Sequence, residues 1–124
     1  LSHPLSEKLA VSLCEINDEN FVLSSDGLDY ETGQIFKLNH IHPKIRYRLN
    51  EDFATLKMVE MGFGITILPG LLLQSAPFHV CIRSFTEHYS RVLGAASSKD
   101  IQPSPALSRF LEYVKEWSGK LSQP

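Results

Sequence analysis

The chain has 124 residues, of which 43% are hydrophobic and 21% charged, with a formal net charge of -2. That is the profile of one ordinary globular domain, long enough to bury a core without disulfides or metals, and it excludes a disordered or fibrous chain. The slightly negative balance argues against these residues gripping nucleic acid, which needs a basic face.

Two lone cysteines, Cys14 and Cys81, do not make a disulfide framework and read as reduced, partly buried apolar residues. No apolar run reaches membrane-spanning length and no signal peptide is visible, so a cytoplasmic setting without membrane contact is expected. The first residue is Leu1 rather than Met, and the chain is expected to be an excised piece of something longer.

In chain order, Asn20-Phe-Val-Leu-Ser-Ser25 is short, apolar and β-prone, and reads as a strand closed by a turn at Asp26-Gly27. Asp29 to Ile41 carries Ile35, Leu38 and Ile41 at helical spacing, stopped before Pro43. Lys44 to Leu49 alternates strictly, which predicts a strand with one buried face bearing Ile45, Tyr47 and Leu49. Asn50 is expected to N-cap the next helix, with Glu51 and Asp52 complementing its positive end. That helix is apolar around most of its circumference and should be largely buried. Gly62 ends it through positive φ.

Gly64 to Leu68 then predicts a buried strand stopped by Pro69-Gly70. Looser alternation predicts strands over His79 to Phe85 and Arg91 to Ser97. A closing helix begins with Ser104 as N-cap and Pro105 at the first helical position, carries Leu107, Phe110, Leu111, Val114 and Trp117 on one face, and ends at Gly119. Strands alternating with helices define an α/β layered domain, in which ligands gather at the C-terminal ends of strands and the N-termini of helices.

Two places could carry binding chemistry. The start of the helix at Asn50 and Glu51 exposes unpaired N–H groups and a positive dipole end able to hold a small anion, while a purely structural cap explains the same residues. Ser24 and Ser25 end the first strand; their hydroxyls could contact a ligand or make a local turn. Gly62 and Gly64 account equally well for a helix stop and a close backbone crossing. His40 and His42 lack local partners for a metal site. No catalytic motif is present: there is no Gly-x-Ser-x-Gly elbow, no phosphate-binding glycine loop and no His-Glu-x-x-His. Neither catalysis nor a cofactor or metal is expected.

The run Val59-Glu-Met-Gly62-Phe-Gly64-Ile-Thr-Ile-Leu-Pro69 resembles the Val-x-x-Gly-x-Gly-Ile-x-x-Leu-Pro pattern of the effector-binding domain of LysR-type transcription regulators. His3-Pro4-Leu5, Val11-Ser-Leu13 and Asn20-Phe-Val-Leu23 resemble that domain's crossing into its second lobe. Ser104-Pro105-Ala106 with Phe110-Leu111 resembles its closing helix. Three motifs in the expected order cover nearly the whole chain.

The resemblance implies a periplasmic-binding-protein-like (type II) α/β lobe, a mixed sheet flanked by helices, plus the return segment of the other lobe. The second lobe would span about residues 4–84, and the hinge strand and closing helix of the first lobe about 91–124. The family's DNA-binding helix-turn-helix has no counterpart here, so DNA would be reached only through a missing N-terminal domain. Effector contacts would fall on Asn50 and Glu51, on Ser24 and Ser25, and on the backbone at Gly64. The implied ligand is a small molecule, expected to be a small acid. The apolar face of the closing helix is expected to pack on another copy or onto the second lobe. A solute-binding receptor of a transport system shares the two-lobe fold and is the alternative.

Overall fold

The computed structural model describes residues 3–24, 30–90, 92–94, 96 and 104–121, without the side chains of residues 30, 31, 120 and 121. It divides into two compact units, Leu1–Arg91 and Val92–Pro124.

In the first unit, single 3-10 turns at Pro4–Glu7 and Leu13–Ile16 flank strand β1, Ala10–Val11. Strand β2, Asn20–Ser24, follows, then helix α1, Tyr30–Leu38, and strand β3, Lys44–Leu49. Helix α2 spans Asp52–Glu60, a single turn α3 spans Gly70–Leu73, and strand β4 is Ser84–Phe85. The second unit carries helix α4, Pro105–Leu121.

Strand β2 is the centre of the layer. It pairs in parallel with β3 on one edge, and on the other Phe21 bridges Ile65 in parallel. Phe21, Val22 and Leu23 are all buried, so both faces of the strand are covered, as expected for a central parallel strand. Helix α2 packs on β2 and β3. Strands β1 and β4 form a separate parallel pair, so the mixed sheet expected from the sequence is represented among the described residues by parallel pairings. The core joins Phe21 and Leu23 to Val11, Leu13 and Ile16 of the entry segment and to Phe36 and Ile41 around the end of α1. Phe21 and Phe36 meet edge to face at 5.2 Å.

Several elements depart from the sequence expectation. The alternation in β3 predicted one buried face, yet Ile45 is 37% and Tyr47 42% exposed. The register explains it: Phe21 faces Ile45 while Val22 faces Tyr47, so Arg46 is an extra residue bulged out of the ladder. A bulge breaks the two-residue period on which a one-face reading depends. Arg46 Nε donates to the Asn20 side-chain carbonyl at 3.0 Å, and Tyr47 stacks edge to face on Phe63. Helix α2 is half-buried rather than largely buried: Thr55 and Leu56 face the core, but Phe53 and Lys57 are exposed.

Helix α1 stops at His40, whose positive φ of 54° lets Ile41 N–H reach back to the Phe36 carbonyl at 2.9 Å. That closure comes before Pro43 can act, and its signal, a His in the left-handed region, is weak in sequence. The end of α2 follows expectation. Gly62 has φ 82°, and the bonds Gly62 N–H to Val59 and Phe63 N–H to Met58 close the helix.

Helix α4 starts as expected, with Ser104 Oγ accepting from Leu107 N–H, but it runs through Gly119 to Leu121 instead of ending there. A glycine inside a helix costs about 1 kcal/mol relative to alanine without forbidding the next turn. The strand expected over His79 to Phe85 is ordered as strand only at β4. The turn at Asp26-Gly27 lies outside the described residues, as do residues 91, 95 and 97 of the strand expected over Arg91 to Ser97; residues 92–94 and 96 are irregular.

Gly64 has a strict steric role. Its φ is 153°, and a Cβ built there would lie 2.4 Å from the Asn20 carbonyl oxygen. The same carbonyl accepts from Ile65 N–H at 2.9 Å, so a side chain at residue 64 would push out the bridge that covers the second edge of β2. Gly64→Ala is expected to cost about 2–3 kcal/mol. Gly33 lies inside α1 with open space around it, and Gly33→Ala is expected to be neutral or to stabilise by up to about 1 kcal/mol. Urea midpoints of the two variants test the contrast; equal behaviour would contradict it.

Candidate functional site

Strands β2 and β3 run parallel, so their C-terminal ends share one edge of the sheet. Ser24 faces Leu49 in register, and the chain then turns through Asn50 and Glu51 into α2. The Ser24 hydroxyl donates to Asp52 Oδ1 at 2.5 Å, tying the end of β2 to the first turn of α2. Two strand ends and one helix start therefore converge within a few residues, the arrangement that places ligands at the carboxyl edge of α/β sheets.

The cap itself differs from expectation. Glu51, not Asn50, is the N-cap of α2, with φ -152° and ψ 125°. Its carboxylate accepts from Phe53 N–H at 3.1 Å and from Ala54 N–H at 2.6 Å. The backbone stays extended one residue further than the Asn50 reading allows, and the longer Glu side chain folds back over the first turn. The positive end of α2 thus already holds a carboxylate of its own chain. The Thr55 hydroxyl donates to the Glu51 carbonyl at 3.0 Å and fixes the cap backbone from the buried side.

Of the expected site residues, the structure brings together Ser24, Asn50 and Glu51. Ser25 lies outside the described residues. Gly64 sits elsewhere: it abuts Asn20 at the start of β2, about 13 Å along the strand from Ser24 at the usual rise per residue. There it lines a cavity of about 540 Å³ together with Glu60, Thr66 and Arg83. The group that sequence reasoning missed is Asp52 as partner of Ser24. Its position in the first turn marked it only as a complement to the helix dipole, and no local pattern foretells a bond across 28 residues.

The carboxylates whose acidity is displaced lie away from this edge. Glu60 is held at about 2, against an ordinary 4.5, chiefly by the Lys57 ammonium and then by the His79 backbone N–H. Glu87 is also held at about 2, chiefly by the Ser12 hydroxyl, while desolvation works the other way. It further receives Leu13 N–H, pinning the chain after β4 to the start of the 3-10 turn that carries two core residues. Glu15 is lowered by its pairing with Lys8. Each of these acids is occupied by donors of its own neighbourhood. No described helix is long and apolar enough to cross a membrane.

A parallel α/β unit with a polar edge of strand ends and a capped helix start has the geometry of α/β domains that hold ligands at that edge. The family model described as the LysR substrate binding domain matches residues 2–119, and the chain belongs to that family. It is 32% identical over 114 residues to YybE of Bacillus subtilis, described as an uncharacterized HTH-type transcriptional regulator, a match covering 90% of this chain and 39% of that protein. The effector binding domain of QuiR, solved in complex with shikimate, superposes with a TM-score of 0.77 at 28% identity, covering 96% of this chain and 58% of that one. The regulatory domain of Synechocystis CcmR, solved in complex with 2-PG, superposes with a TM-score of 0.72 at 22% identity over 91% of this chain and 57% of that one. The chain thus spans well under two thirds of the relatives it matches, and its fold is the type II periplasmic-binding-protein-like α/β fold of these domains.

Two measurements follow. Glu60 and Glu87 have folded pKa values below their ordinary value, so their stabilising contribution is complete above about pH 4.5 and disappears as pH falls towards 2. Urea midpoints taken from pH 7 to pH 2 should fall through that window, and Glu87→Gln should flatten the fall. At the candidate edge, Glu51→Ala removes the cap and is expected to cost about 1 kcal/mol, with Glu51→Asn recovering most of it; equal losses in both variants would show that the cap bonds do not stabilise α2.

Proposed function

We propose that this chain is the ligand-sensing part of a DNA-binding transcription regulator acting in the cytoplasm. On this reading residues 4–84 are its second lobe, and residues from about 91 onward return to the first. Family membership supports the reading, and the observation that carries the site is the convergence of Ser24, Asn50 and Glu51 at the carboxyl edge of β2 and β3. A small molecule held there between two lobes would favour the closed arrangement over the open one, and the difference in affinity is what shifts the population. A coupling of about 1–3 kcal/mol is enough to alter a DNA-bound assembly. The roles assigned are binding roles, without chemistry on the ligand.

The ligand class is a small acid bearing hydroxyl groups, and the Glu51 cap orients it. Phe53 and Ala54 N–H are already taken by Glu51, so a ligand carboxylate at that helix end would have to displace an internal one. Ligand hydroxyls, in contrast, find acceptors in the Glu51 and Asp52 carboxylates, and Ser24 and Asn50 complete the polar edge. The ligand's own carboxylate then points away, towards the opposite lobe. The shikimate complex of the QuiR domain, whose sequence is 28% identical, supports a small-molecule ligand of this kind. Self-association through α4 is part of the same proposal; Phe110 and Trp117 on that helix are exposed.

A thermal-shift screen of small hydroxy acids tests the site, using a protein that carries both lobes. A true ligand at 100 times its Kd stabilises by about 2.7 kcal/mol, on the order of 10 °C for a domain of this size. Asn50→Ala and Glu51→Gln should each weaken that ligand by roughly tenfold, the worth of one good hydrogen bond. Unchanged affinity in both variants would remove these residues from the site. The gene decides the class: a helix-turn-helix encoded upstream supports a regulator, and a secretion signal there would make the chain part of a transport receptor.

A further inference from the structure

Helix α2 carries one polar side chain into the core. Among the described residues, Thr55 is the polar residue that is fully buried, on a helix that packs against β2 and β3. Its hydroxyl donates to the Glu51 carbonyl at 3.0 Å, and its backbone N–H donates to the same oxygen at 3.1 Å. Bonding back to the fourth carbonyl before it is common for a helical threonine. Two features set this bond apart. The carbonyl already holds the N–H bond that the helix requires of it, so the helix does not need the hydroxyl. That carbonyl also belongs to the peptide unit joining Glu51 to Asp52.

A peptide unit is planar, so fixing its C=O direction fixes the orientation of the residues on both sides. It holds Glu51 at ψ 125° and sets how Asp52 leaves the backbone. From that one plane the Glu51 carboxylate turns back to Phe53 and Ala54 N–H, and Asp52 Oδ1 receives the Ser24 hydroxyl at 2.5 Å. Glu51 is exposed and Asp52 half-buried, whereas Thr55 is out of reach of solvent. A hydrogen bond weakens steeply as its angle departs from linear. The direction of these two acceptors therefore matters to a bound hydroxyl as much as their presence.

We infer that Thr55 is a positioning residue for the proposed ligand site: its hydroxyl, from the buried side, aims the Glu51 and Asp52 carboxylates at a hydroxylated ligand that Thr55 does not touch. This role rests on the ligand reading above. It divides the work of the side chain in two. The methyl fills space in the core, and the hydroxyl holds the peptide. Valine keeps the shape and loses the hydroxyl. Serine keeps the hydroxyl and leaves the space of the methyl empty. Stability and ligand affinity are therefore expected to rank the two variants in opposite orders.

The test compares Thr55→Val and Thr55→Ser with the unsubstituted chain. Urea midpoints give stability. Amide NMR titrations give affinity for glycerate, a small hydroxylated acid, with propionate as the counterpart lacking hydroxyls. Thr55→Ser should be the less stable variant, because it alone loses a buried methyl. Glycerate should shift the Asn50 and Glu51 amides with similar affinity in the unsubstituted chain and in Thr55→Ser, and propionate should not. In Thr55→Val the glycerate affinity should fall by roughly fivefold to tenfold, the worth of one hydrogen bond. Equal affinity in all three chains, or affinity weaker in Thr55→Ser than in Thr55→Val, would overturn the role of the hydroxyl and leave the ligand reading standing. A Thr55→Val chain that is the weaker binder and also the less stable would overturn it too, since the hydroxyl would then be a prop of the helix. If glycerate shifts nothing beyond propionate in the unsubstituted chain, the ligand reading itself falls, and the positioning role with it.

Discussion

Strand β2 is clamped from both edges, and the rest of the first unit is arranged around that clamp. On one side β3 pairs with it through Ser24 and Leu49; on the other, Ile65 bonds to Asn20 and Val22. The second contact exists only because residue 64 is glycine, since a Cβ there would meet the Asn20 carbonyl at 2.4 Å. With both edges held and both faces covered, Phe21, Val22 and Leu23 leave water almost completely. Each contributes roughly 1.5–3 kcal/mol on burial, a large share of what holds a domain of this size together. The clamp also carries the consequence for function. It delivers Ser24 to the first turn of α2, where Asp52 receives its hydroxyl. The position of the candidate site is therefore a by-product of packing at the strand, not of the site residues alone.

The elements that the sequence announced well are those with a local cause. An apolar run between turn signals marked β2, Gly62 marked the end of α2, and Ser104 with Pro105 marked the start of α4. The ordered motifs likewise led to the LysR substrate binding domain family, to which the chain belongs. What escaped the sequence has non-local causes. The bulge at Arg46 arises from how β3 registers against β2, and it undid an alternation that was strict in the sequence. The choice of Glu51 over Asn50 as cap is decided by one residue of extended backbone, which neither side chain dictates. The Ser24–Asp52 bond joins residues far apart in the chain. The family resemblance implied a place for Gly64 near the ligand; in space it abuts Asn20 at the start of β2.

The folded acids sort into two kinds of work. Glu60 and Glu87 are fixed by several donors each and act as staples: Glu60 ties α2 to His79, and Glu87 ties the chain after β4 to the turn at Leu13. Surface ion pairs are usually worth little, but a carboxylate that also accepts backbone N–H groups holds segments in register. Glu51 does related work on a smaller scale, for its two bonds stay within its own helix.

That difference bears on the ligand site proposed at the carboxyl edge of the sheet. An uncapped helix start would attract any small anion through its dipole and free N–H groups, with little discrimination among them. A helix start already filled by Glu51, with Asp52 alongside, inverts the preference: it repels a bare carboxylate and rewards a hydrogen-bond donor. Discrimination arises as much from that repulsion as from any new attraction. On the proposed reading, a hydroxylated acid would satisfy both halves of the demand only in one orientation, hydroxyls towards Glu51 and carboxylate away. Orientation in turn is what a two-lobed sensor needs, because a ligand that bonds to both lobes at once stabilises the closed state, and one that sits on a single lobe shifts nothing.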